Sequence, residues 1–169
     1  MGRGVLQHAG SPLGNPKVTN PPTGRIAGID YGTVRIGVAM ADLEVGIAGP
    51  FETYTRRSEA KDADYFRQLA TEERLKRFVV GLPVHLDGRE SQKSREAREF
   101  GAWLAKLTGL TVEYFDERFT SSEAETILGD AQLTKKRRKA RIDQLAAQIM
   151  LTAYLESGAR GQESPGGIQ

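Results

Sequence analysis

The stretch RIAGIDYGTVRIGVAMAD, residues 25–42, decides the fold. RIAGID and VRIGVAMA are strand-like, and in the second Ile36, Val38 and Met40 alternate with Gly37, Ala39 and Ala41. Before its last residue the stretch holds a single acid, Asp30. A buried strand that ends on a carboxylate, passes through Tyr31-Gly32-Thr33 and resumes at once admits three explanations. Asp30 is a metal ligand, the turn cradles a phosphate, or an ordinary hairpin begins with an Asp that bonds the next backbone N–H groups.

Outward from this hairpin the chain alternates strands and helices. GIAGPFETY, residues 46–54, predicts a third strand, with Pro50 marking an edge or a bulge. Residues 59–75 predict a helix with Phe66, Leu69 and Ala70 on one side. RFVVGLP, residues 77–83, is a short apolar run stopped by Gly81 and Pro83, as in a buried central strand. A helix carrying Ala97, Phe100, Leu104 and Leu107 follows, closed by Gly109. LTVEYF is the next strand and runs into DERFTSSEAE, where Thr120 or Ser121 caps a helix over 122–129. A last helix covers 135–156, with Ile142, Leu145, Ala146, Ile149, Ala153 and Tyr154 as its expected buried stripe. This order predicts an α/β domain, an antiparallel β1-β2-β3 meander followed by parallel strands reached through helical crossovers.

Length and composition agree with one such domain. The chain has 169 residues, 38% hydrophobic and 27% charged, enough for one core with polar extensions. Residues 1–24, rich in Gly, Pro and Asn, read as a disordered leader, 25–156 as the domain and 157–169 as a flexible tail. No apolar run reaches the length of a membrane span, and the N-terminus lacks the apolar core of a secretory signal. The absence of cysteine excludes disulfides, thiolate metal sites and Cys nucleophiles, and fits a cytoplasmic protein. A net charge of +2 does not by itself announce a nucleic-acid binder.

The distribution of charge is more telling. Asp30 ends the first strand, Asp116 and Glu117 end the last, and Asp143 lies in the last helix beside its apolar stripe. Acids flanking apolar surface are costly unless paired or bound to a cation. Three converging carboxylates suit one or two Mg²⁺ or Mn²⁺ ions, which prefer oxygen ligands and support phosphodiester cleavage. Taken singly, Asp30 is also a turn residue, Asp116-Glu117-Arg118 a surface cluster, and Asp143 a partner for Lys139 or Arg141. In KKRRKAR, residues 135–141, six of seven side chains are cationic (Lys135, Lys136, Arg137, Arg138, Lys139 and Arg141). Cations in a first helical turn oppose the macrodipole, so this block does not serve the helix. It suits phosphate contacts, as Arg118 and Lys93 do more weakly, or else it is a solvated face or a disordered basic loop. His85, a lone loop histidine, has no identified partner, and Asp87 before Gly88 reads as a turn residue.

GIDYGTVRIGVAMAD, VVGLPVHLDG, DERFTSSEAE and KARIDQLAAQIMLTAYLE together resemble, in order and spacing, the YqgF/RuvX family over about residues 24–156. Those are RNase H-like proteins described as Holliday junction resolvases and as nucleases maturing the 5′ end of pre-16S rRNA. The resemblance implies a five-stranded mixed sheet and catalytic, metal-holding acids at Asp30, Glu117 and Asp143, with Glu117 on the fourth strand of the sheet. It favours Glu117 over Asp116, since adjacent strand residues point to opposite faces and the resolvases use Glu there. Phe119 departs from the Leu usual after DER. The implied partners are nucleic acid, either pre-rRNA in ribosomal precursor particles or branched DNA, acted on by a monomer or a homodimer. Two other functions use the same residues. The first motif also resembles the phosphate-binding turn of actin-like ATPases, which need a second domain that this length does not supply. A non-catalytic RNA-binding assembly factor would keep the basic cluster without turnover.

Overall fold

In the computed structural model, which describes residues 23–83, 89–117 and 134–158, the opening stretch forms strands β1 (Arg25–Asp30) and β2 (Arg35–Asp42). They pair antiparallel, with Asp30 opposite Gly37. β2 also pairs antiparallel with β3 (Ile47–Thr55). On the other side of β1 lie β4 (Leu75–Pro83) and then β5 (Thr111–Glu117), both parallel. The sheet order is β3-β2-β1-β4-β5, so the strand that carries Asp30 is central and β3 and β5 are edges. Pro50 sits on the edge strand beside a bulge: Val38 pairs with Glu52 and Ala39 with Pro50, leaving Phe51 as the extra residue.

Helices α1 (Glu59–Glu72) and α2 (Gln92–Thr108) cover one face of this sheet. Ser58 and Ser91 cap them by accepting from Lys61 and Ser94 N–H groups, and Gly109 ends α2 with φ 71°, a left-handed conformation that glycine adopts without strain. Ala27, Ile29, Val38, Phe78 and Val80 pack there against Phe66, Phe100 and Leu104, all buried. Helix α3 (Lys135–Glu156) covers the opposite face, meeting Ile26, Ala39, Ala41 and Val79.

The buried side of α3 differs from the periodicity estimate. Ala146, Ala147, Met150, Leu151, Tyr154 and Leu155 are buried, whereas Ile142, Leu145, Ile149 and Ala153 are only half-buried. The reason is steric. A Cβ at Gly28 would lie 2.9 Å from Leu151 Cβ, so the helix sits nearly on the backbone at Leu151, and the residues around that contact, Ala147, Met150, Tyr154 and Leu155, take the buried side. The helix expected at 122–129 and the loop with His85, Asp87 and Gly88 lie outside the described residues.

Candidate active site

Parallel pairing brings the carboxyl ends of β1, β4 and β5 to the same end of the sheet, with Ile29 opposite Val80 and Gly81 opposite Phe115. Asp30 ends β1 there. It follows Gly28 in the alternation and so belongs to the face that α3 covers. Helix α3 delivers Asp143 to the same place. Gly37, the cross-strand partner of Asp30, makes this approach possible, because a Cβ on it would lie 2.1 Å from the Asp143 carbonyl oxygen. The Thr53 hydroxyl donates to the Ala140 carbonyl and ties the same part of α3 to the edge strand. Asp30 and Asp143 line a cleft of about 380 Å³ together with Tyr31, Arg35, Lys93, Glu96 and Lys139.

Burial pushes the Asp30 carboxyl up to about 6, against the pull of Lys93, and the neighbouring Asp143 carboxylate raises it further. A poorly hydrated carboxyl beside a second carboxylate forms a site that attracts positive charge. Part of that charge is built in: Arg35 Nε donates to Asp143 Oδ2 at 2.8 Å. Arg35 was not singled out in the sequence, although it is the only charged residue between Asp30 and Asp42. Glu96, with its Oε1 accepting from Gln92 at 3.1 Å, was likewise missed, since helical periodicity does not tell a solvated face from a cleft wall.

The third expected acid stands differently. Glu117 ends β5, the edge strand beyond β4, and pairs with Pro83, so it is not on the fourth strand of the sheet as the resemblance implied. The backbone alternation puts position 117 in the series of Glu113 and Phe115, both of which meet Tyr154 of α3; its side chain lies outside the described residues. Asp116 falls in the other series and is exposed. Among the described residues no three acids or histidines converge closely enough to hold a metal ion, so the pair Asp30 and Asp143 is what the structure brings together. Of the basic block only Lys139 lines the cleft. Lys135, Lys136, Arg137 and Arg141 are exposed on the first turns of α3, Arg138 is half-buried, and Arg118 lies outside the described residues.

A buried network holds the opposite wall. Asp62, 1% exposed, accepts from the Tyr54 hydroxyl at 2.7 Å, from Arg57 N–H at 2.9 Å and from Arg56 Nε at 3.2 Å. Burial alone would raise its carboxyl, but these donors prevail and hold it below the ordinary range. Arg56 then donates to the Tyr31 hydroxyl at 3.0 Å and lies over the Tyr31 ring, fixing the residue after Asp30. Asp62→Ala leaves the Tyr54 and Arg57 donors unpaired and is expected to cost about 2–3 kcal/mol, read as a lower urea midpoint.

A mixed five-stranded sheet of this order, with an acid closing its first strand and another on its last helix, is that of the RNase H-like nucleases, hydrolases of phosphodiester bonds. The chain belongs to the YqgF/RuvX family: the model described as "RuvX: Holliday junction resolvase" matches residues 24–157. A protein of Rhodopirellula baltica named "Putative pre-16S rRNA nuclease" is 49% identical over 81% of this chain and 79% of its own. A protein of the same name from Neisseria gonorrhoeae is 41% identical over 81% and 91%. The fowlpox virus resolvase bound to Holliday junction DNA superposes with TM-score 0.51 at 9% identity, over 79% of this chain and 97% of that one. Thermus thermophilus RuvC with its junction substrate gives 0.50 at 16% identity, over 81% and 96%. At such identities these two structures bear on the fold alone.

Proposed function

We propose that this protein is a divalent-metal-dependent endonuclease that processes the 5′ end of pre-16S rRNA. The observation that carries the proposal is the meeting of Asp30 and Asp143 in a cleft that also presents Arg35, Lys93 and Lys139. An oxygen-only donor pair suits Mg²⁺ or Mn²⁺, and Asp30, Asp143 and Glu117 are the residues that would hold one or two ions. Bound there, such an ion supplies charge stabilisation and an activated water for phosphodiester hydrolysis. The chain's own part is to bind and orient. Lys93 and Lys139 attract the phosphates at the cleft, and Lys135, Lys136, Arg137, Arg138 and Arg141, with Arg118, extend that attraction along the first turns of α3. Tyr31, fixed by Arg56, keeps the wall beside Asp30 rigid. The names of the relatives favour RNA. The description of the family model favours a second reading, cleavage of branched DNA, in which symmetric resolution of a junction needs two copies of the site. The RNA reading places the protein on ribosomal precursor particles in the cytoplasm, as a monomer. Among the described residues no helix is long and apolar enough to cross a membrane.

Incubation of labelled pre-16S rRNA fragments and of a synthetic four-way junction, each with Mg²⁺, Mn²⁺ or EDTA, tests this. The expected result is a single cut in the RNA that either ion supports and EDTA abolishes. Symmetric cuts in the junction with intact RNA favour the second reading. RNA that is bound but cut under no condition overturns both and leaves a non-catalytic assembly factor.

A further inference from the structure

The cleft arginine holds most of its donors in reserve. Arg35 opens β2, is half-buried, and spends only Nε on the protein, at Asp143 Oδ2. A guanidinium carries five N–H donors in one plane, so four remain on the two Nη groups. None of the four has a partner among the described residues. Arg25, Arg77 and Arg56 are engaged through Nη, with Glu73, with Glu113 and Tyr154, and with Tyr31; Arg98 also donates through Nε alone, to Glu90, but on the exposed side of α2 and away from the cleft. Arg35 is thus anchored at one end, while its side chain lines the cleft.

An anchored guanidinium with an open fork matches the two non-bridging oxygens of a phosphate, which it engages in parallel hydrogen bonds with little further loss of freedom. Lys93 and Lys139, in the same cleft and without ion pairs among the described residues, are mobile point charges by comparison. We propose that Arg35 grips a phosphodiester of the nucleic acid lying in the cleft, with Asp143 as its anchor. It is a positioning residue: it fixes the backbone of the substrate against the acid pair and leaves the chemistry to others. Asp143 then serves through both oxygens, Oδ2 aligning Arg35 while Oδ1 has no partner among the described residues. This assignment rests on the reading of the cleft as a nucleic-acid site and names a phosphate contact within it.

The test is equilibrium binding of a labelled pre-16S rRNA fragment in EDTA across a series of KCl concentrations, so that cleavage plays no part. Wild type, Arg35→Gln, Arg35→Lys and the double variant R35Q/D143N are compared, each checked by thermal melting. Arg35→Gln is expected to bind roughly tenfold more weakly. It should also lower the slope of log K against log salt by about 0.7, the release expected for one phosphate contact on a single strand. Arg35→Lys should recover the slope but not the whole affinity, because it keeps the charge without the fork. The double variant should keep the reduced slope. If Arg35 merely neutralises Asp143, removing both charges restores wild-type binding and slope, and the proposal fails. It fails equally if Arg35→Gln lowers the melting temperature and leaves binding untouched. Cleavage measured in parallel with Mn²⁺ separates the two claims. Wild type that cuts RNA while Arg35→Gln binds normally overturns only the role of Arg35. Wild type that binds through Arg35 and never cuts overturns the nuclease and keeps the contact.

Discussion

Asparagine in place of Asp30 is expected to give a protein that folds, melts higher at pH 8 than the wild type without metal and, on the proposed metal-dependent reading, cuts RNA at least about a thousandfold more slowly. The two effects have one cause. Burial and the Asp143 carboxylate raise the Asp30 carboxyl from 3.8 to about 6, so in the metal-free fold the neutral form is favoured. A group raised in the folded state gives its full stability below its unfolded value and loses it as pH climbs through the folded one. Metal-free wild type should therefore weaken between about pH 4 and 6, by at most roughly 2–3 kcal/mol at 1.36 per unit. Asp30→Asn, neutral at every pH, removes that slope. On the proposed reading it also removes the anionic oxygen that would draw a divalent ion, and the rate should fall with it. Melting curves at pH 4 and 8, with and without Mn²⁺, check both halves. Mn²⁺ should raise the melting temperature of the wild type at pH 8 and leave the variant unmoved. A variant that cuts at the wild-type rate removes Asp30 from the site.

The largest loss of stability is expected from Gly37→Ala. One methyl group there would stand 2.1 Å from the Asp143 carbonyl oxygen, and both clashing partners belong to hydrogen-bonded backbone. Neither can turn aside as the end of a side chain can. The helix must lift or the β1–β2 pairing must bend, at a cost of about 4 kcal/mol. The lift also carries Asp143 away from Asp30, so activity should fall further than stability accounts for. Gly49→Ala is the control, since a Cβ at Gly49 meets nothing within 4 Å. Urea denaturation of both variants, followed by cleavage rates under conditions where each is fully folded, separates the two losses. If Gly37→Ala keeps the wild-type midpoint, the seating of α3 on β2 is not as described.

These two glycine and acid positions show what the sequence made legible. Alternation placed β1 and β2 to within a residue, and the span of α3 followed from its apolar repeat. Asp30 stood out because a carboxylate closing an apolar strand needs a reason. The face of α3 was misread for a related cause. Periodicity alone ranks Ile142 and Ile149 as core, whereas the close seating of the helix, with Leu151 against Gly28 and the Asp143 backbone against Gly37, turns the side of Met150, Leu151 and Leu155 inward. Arg35 was hidden because its role comes from a partner far along the chain, and no local pattern ties a strand-opening arginine to a helix. The register that sets positions 116 and 117 is likewise a property of the assembled sheet, and local alternation alone offered either acid.

The seam of glycines under α3 also determines when the site can exist. Asp30 is made early and Asp143 late, and the helix that carries Asp143 is held mainly by the strands β1, β2 and β3 formed from the first third of the chain. A chain clipped before residue 134 lacks both Asp143 and the helix that covers Ile26, Ala39, Ala41 and Val79, so one of the two facing carboxylates and one face of the core are lost together. On the proposed reading of the acid pair, the closing segment of synthesis completes the site, and products lacking it are expected to be inert toward nucleic acid cleavage.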